Sequence, residues 1–118
     1  MKTHKDLDVW KFAIEFVTSI YKATAQFPGE EKFGLSNQLR RASISIPSNI
    51  AEGAARNHPK EFIQFLYIAL SSASEIETQL IICNNLNLID EQIIVKLLSE
   101  LETIAKMLNG LINSIKNK

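Results

Sequence analysis

Long apolar runs are missing from this sequence. No stretch approaches the roughly 18–20 residues that cross a bilayer, so no membrane span is expected. Cysteine is almost absent. The single Cys83 can form neither an intramolecular disulfide nor a multi-cysteine metal site, and its setting in Leu80-Ile81-Ile82-Cys83 predicts a small buried thiol rather than a reactive one. Four scattered glycines build no phosphate-cradling loop. The two histidines, His4 and His58, lie far apart without acidic neighbours at metal-ligand spacing. There is no Glu-x-x-His pair of the kind that holds di-iron sites in bundles. Glu75 and Glu77 are two residues apart, about 200° around a helix, and cannot work as a pair by themselves. Neither a metal, a cofactor nor a catalytic activity is therefore expected, and the chain should act by binding. The polar start, Met1 to Asp6, leads into no apolar segment of signal-peptide type, which predicts a cytoplasmic protein.

What the sequence does contain is helical periodicity. Its 118 residues, 46% apolar and 22% charged, suit one globular domain over residues 1–118. Val9, Ala13, Phe16, Ile20 and Phe27, widened by Phe12 and Val17, recur at steps that predict a helix from Leu7 to about Ala25. Asp6 is its expected N-cap and Pro28-Gly29 its stop. Leu35, Leu39, Ala42, Ile46, Ile50 and Gly53 share the face of a second helix, Leu35 to Ala55. Pro47 lies inside it and removes one backbone donor, so this is either a helix kinked at Pro47, the favoured reading, or two shorter ones. Ser43, Ser45 and Ser48 are candidates to bond the backbone groups thus released.

A third helix starts at Pro59, with His58 an imperfect cap and Glu61 in its first turn. Its seam is Phe62, Leu66, Ala69, Ala73, Ile76, Leu80 and Cys83. A fourth follows Asp90, with Ile94, Leu97, Leu101, Ile104, Leu108, Leu111 and Ile115 on one face, and continues through Gly110. Short connections between long amphipathic helices predict an all-α, up-down-up-down antiparallel four-helix bundle. Further apolar residues, among them Ile68, Ile93 and Val95, exceed what the seams need and point to self-association.

Thirteen basic and thirteen acidic residues cancel, but not locally. From Lys32 to Lys60 there are five cations (Lys32, Arg40, Arg41, Arg56, Lys60) and one acid, Glu52. Guanidinium forks on a rigid helix suit phosphate. The competing structural role is a pairing of one arginine with Glu52, Glu75 or Glu77. Being adjacent, Arg40 and Arg41 diverge by about 100°, which allows one to face inward and the other outward. Ser48, Asn49 and Glu52 beside Pro47 are read as a structural polar cluster rather than a ligand site. No aromatic platform for stacking bases is evident beside the arginines, which favours folded or duplex RNA over single strands.

The run Phe27-Pro28, Phe33-Gly34-Leu35, Gln38-Leu39-Arg40-Arg41-Ala42 and Ser45-Ile46-Pro47-Ser48-Asn49-Ile50-Ala51-Glu52-Gly53, with Asp8-Val9-Trp10 before it and Glu61-Phe62, Phe65-Leu66 and Ser74-Glu75 after it, resembles the proteins encoded in intervening sequences of bacterial 23S rRNA genes. The resemblance covers Leu7 to Leu80, the fourth helix adding only a generic pattern. His58 departs from the Ser or Thr usual there. The chain is also similar to the accessory variability determinants of diversity-generating retroelements, pentameric bundles that bind nucleic acid and a reverse transcriptase. The resemblance implies a cytoplasmic homopentamer with basic residues on its surface. The expected function is binding of structured RNA through Arg40, Arg41 and Arg56, with Lys32 and Lys60 as auxiliaries. The alternative is a protein–protein adaptor that scaffolds a polymerase or another enzyme.

Overall fold

The structure, a computed structural model, describes residues 3–29 and 34–118. A 3₁₀ turn, His4–Asp6, precedes four helices: α1 (Asp8–Thr24), α2 (Leu35–Ala55), α3 (Pro59–Asn85) and α4 (Glu91–Lys116). Each helix packs on its sequence neighbours, and α1 against α4 closes the square. The result is the antiparallel four-helix bundle that the periodicity predicts, with extents of 46 × 22 × 20 Å. Its base gathers the start of α1, the α2–α3 turn and the end of α4. Among the described residues no helix is long and apolar enough to cross a membrane.

The seams fill the core as the spacing requires. Val9, Ala13, Phe16 and Ile20 of α1 meet Leu39, Ala42, Ile46 and Ile50 of α2. Leu66, Ala69, Ala73, Ile76, Leu80 and Cys83 of α3 meet Ile94, Leu97, Leu101, Ile104 and Leu108 of α4. Near the end of α4 the buried residue is Ile112, whereas Leu111 and Ile115 are only half-buried. A straight helix turns every 3.6 residues, so a seam written at 3.5 drifts and is corrected by an extra step of four, here from Leu108 to Ile112.

Helix ends follow local chemistry. Asn57 and Asn87 both adopt φ 57°, the left-handed residue that follows a helix C-terminus and is tolerated best by glycine and asparagine. Asp90 occupies the N-cap position of α4, where its carbonyl accepts from the Ile93 and Ile94 amides at 3.0 Å. Asp6 does not cap α1. Its carboxylate turns back to the Thr3 amide at 2.9 Å and closes a capping box around the 3₁₀ turn, leaving Leu7 at the N-cap of α1.

α2 runs unbroken through Pro47, which excludes the two-helix alternative. The neighbouring serines bond elsewhere than expected. Ser43 Oγ donates to the Arg40 carbonyl at 2.9 Å, and Ser45 Oγ pairs across to Ser72 Oγ at 2.8 Å. Small side chains let α2 and α3 close tightly. A Cβ on Gly53 would come within 2.7 Å of Phe65 Cβ and 2.9 Å of Phe62 Cδ1, so only glycine fits this crossing.

Candidate nucleic-acid interface

The cations that the sequence groups together are separated by the fold. Arg40 is half-buried against α1. Its Nε donates to Thr24 Oγ1 at 2.9 Å, one terminal nitrogen donates to the Tyr21 carbonyl at 3.3 Å, and the guanidinium lies 4.4 Å from the Tyr21 ring centroid. Thr24 is itself buried, and its hydroxyl donates to the Ile20 carbonyl at 2.8 Å. Arg40 therefore joins the C-terminal turn of α1 to α2, satisfying a carbonyl that the helix end leaves open.

Arg41 points the other way. It is exposed, and among the described residues no side chain pairs with it. Arg56 lies fifteen residues on, roughly 22 Å along the axis and about 60° around it. There it pairs with Glu52 at 3.0 Å, the structural partner considered above, and stacks 5.0 Å from the Phe65 ring centroid. Both members of that pair remain half in water, at 46% and 55% exposure, so the bridge adds little stability. Lys60 is exposed at the start of α3. Lys32 lies outside the described residues.

Nor do Ser48, Asn49 and Glu52 gather on one another. Asn49 Nδ2 donates to the Ser45 carbonyl at 2.7 Å and to Ser45 Oγ at 2.9 Å, Glu52 takes Arg56, and Ser48 is exposed. The polar cluster that forms is Ser45, Asn49 and Ser72, lying between α2 and α3. Position within one helix turn does not reveal it, because its third member is 27 residues away.

Aromatic surfaces beside the arginines are the main addition. Tyr21 under Arg40 and Phe65 under Arg56 come from neighbouring helices. A similar pairing at the base sets Lys116 Nζ 5.5 Å from the Tyr67 ring centroid and 3.1 Å from its hydroxyl. The tight turn through Asn57 and His58 brings Phe65 back to Arg56, and those two turn residues are the one trace of it in the sequence. Among the described residues no three His, Cys, Asp or Glu side chains converge as a metal site would require.

The model of the 23S rRNA-intervening sequence protein family matches residues 5–110. The chain belongs to that family. The match extends the resemblance read over Leu7 to Leu80 into α4. The fold is also similar to a crystal structure from Bacteroides thetaiotaomicron, a protein of unknown function from the S23 ribosomal protein family, with a TM-score of 0.82 and 28% identity. That likeness covers 89% of this chain and 95% of the other. No curated protein is similar enough to this chain to count as a relative.

Proposed function

We propose that this 23S rRNA-intervening sequence protein is a non-catalytic, cytoplasmic RNA-binding protein that works as a homo-oligomer, a pentamer by resemblance. What supports the reading is that Arg41, Arg56 and Lys60 are each exposed along α2 and the α2–α3 turn, with Glu52, the partner of Arg56, the one acid among them. Lys32 is its auxiliary, and Arg40 anchors the edge to α1. Identical subunits would repeat this edge around an assembly, so that a modest patch becomes a ring of positive charge. The family's name supports rRNA or another structured RNA as the partner. Phosphate contacts would dominate, and counterion release makes such binding fall linearly in log–log salt with about 0.7–0.9 per phosphate neutralised.

The test is RNA binding across a salt series, with the mass in solution taken on the same sample. Binding by an oligomer that weakens with salt, and loses slope when Arg41, Arg56 and Lys60 become alanine, supports the reading. Absence of binding at low salt overturns it, and unchanged binding by the triple variant removes the site.

One observation favours the adaptor as a second reading. Between α3 and α4 runs a groove of about 540 Å³ floored by Leu70, Ala73, Leu98 and Leu101, with Ile81 and Val95 exposed at its edge. A protein partner held there would survive nuclease treatment and high salt in a pull-down.

A further inference from the structure

At the base of the bundle a cavity of about 550 Å³ opens between the 3₁₀ turn and the end of α2. This lies within the roughly 300–1,000 Å³ typical of small-molecule sites. Leu7, Ala54, Ala55 and Phe62 make an apolar shelf, and Thr3, His4 and Lys5 make its polar rim. The rim is held in place. The Thr3 capping box fixes the turn, and the His4 ring meets Trp10 edge-on at 5.2 Å between centroids. Among the described residues no carboxylate lines the cavity, and the Asp6 carboxylate beside it accepts from the Thr3 amide. Arg56 follows Ala55 directly, and His58 and Lys60 lie on the turn that leads to Phe62.

This combination narrows the ligand. A lone phosphate would leave the Phe62–Leu7 shelf unused, and an uncharged apolar molecule would gain nothing from Lys5 on the rim. A nucleotide joins the two, a flat apolar face and an anionic group. We infer that the cavity receives one unpaired nucleotide, its base on the Phe62–Leu7 shelf and its phosphate at Lys5. In an RNA chain the adjoining phosphates pass to Arg56 and Lys60. The inference rests on the RNA-binding reading and sharpens it, because it assigns the protein an unpaired or terminal nucleotide within its RNA rather than duplex alone.

Trp10, the one tryptophan of the chain, reports on the site through His4. The experiment titrates the intact protein with oligouridylate, uridine 5′-monophosphate and a blunt-ended RNA duplex, following Trp10 emission and, separately, bound RNA. Oligouridylate should shift the emission saturably, and the mononucleotide should give the same shift at higher concentration. Lys5→Glu, at an exposed position, should weaken the oligouridylate shift by about tenfold or more. Ala54→Leu, which fills the cavity, should abolish it while thermal melting stays that of the parent. Emission unmoved by oligouridylate, or equal affinity in both variants, overturns the inference. A shift with the mononucleotide alone overturns RNA as the source. Duplex binding with silent Trp10 removes the inference and leaves the RNA-binding reading standing, whereas binding of no RNA at all removes both.

Discussion

α3 packs against α2 on one edge and against α4 on the other, and the two seams differ in kind. Towards α2 the contact is built from small and polar side chains: Gly53 under Phe62 and Phe65, Ser45 bonded to Ser72, and Gln79 Nε2 directed at Glu75 and Gln38. Towards α4 the buried contacts are mainly Leu and Ile with Ala73 among them, and the helices leave the open groove edged by Ile81 and Val95, the latter 61% exposed. Side-chain volume sets the interhelical distance. Small residues bring backbones together and make polar pairing across the seam possible. Large aliphatic residues hold them apart and leave apolar surface for something else.

The sharpest way to break this comparison is to add side-chain volume on each side. Gly53→Ala forces Phe62 and Phe65 to move and should cost about 1–3 kcal/mol, the range for overpacking. Ala105→Leu, which extends into the α3–α4 groove, should change stability by less than about 0.5 kcal/mol. Thermal or denaturant melts of the two variants check this, and equal losses would show that the seams are packed alike.

Next in size is the contrast between the two adjacent arginines. Arg40→Met keeps the stem and removes the bonds to Thr24 and Tyr21, an expected loss of about 1–2 kcal/mol. Arg41→Met should leave the melt unchanged and lower RNA affinity. A melt and a binding isotherm on each variant decide whether the two residues divide structure and function in this way.

A smaller effect belongs to the polar seam. Ser45→Ala and Ser72→Ala should each cost about 1 kcal/mol, and the double variant less than their sum, because either single change already removes the hydroxyl–hydroxyl bond across the seam. A double-mutant cycle measures the difference, and strict additivity would mean that the pair is not coupled. Smallest of all is the exposed bridge at the base. Glu52→Gln should alter stability by no more than a few tenths of a kcal/mol, yet RNA should bind more tightly once Arg56 loses its competing carboxylate.

Much of the fold was legible in the residues. The α2 boundaries, the start of α3 at Pro59 and the start of α4 after Asp90 agree with the periodicity and its punctuation. The burial of Cys83 follows from its place in an apolar seam. The N-cap of α1 differs from the expectation, because an acid just before a periodic stretch looks like an N-cap whether it bonds forward to the helix or back to Thr3. The candidate site was legible only as composition. The cluster of cations is real along the chain, but its members part company in space.

By itself the sequence determined what local physics determines: where helices begin and end, which face of each is apolar, and that four such faces can share one core. Only the tertiary structure decided which arginine is held and which is free. The partners of Arg40 are 16 and 19 residues away, and Phe65 reaches Arg56 from another helix. The base cavity likewise joins Thr3 to Phe62. Such pairings depend on how far each helix is rotated and slid against its neighbour. Side-chain volumes across the seams set that rotation and offset, and no residue's own sequence neighbourhood contains them.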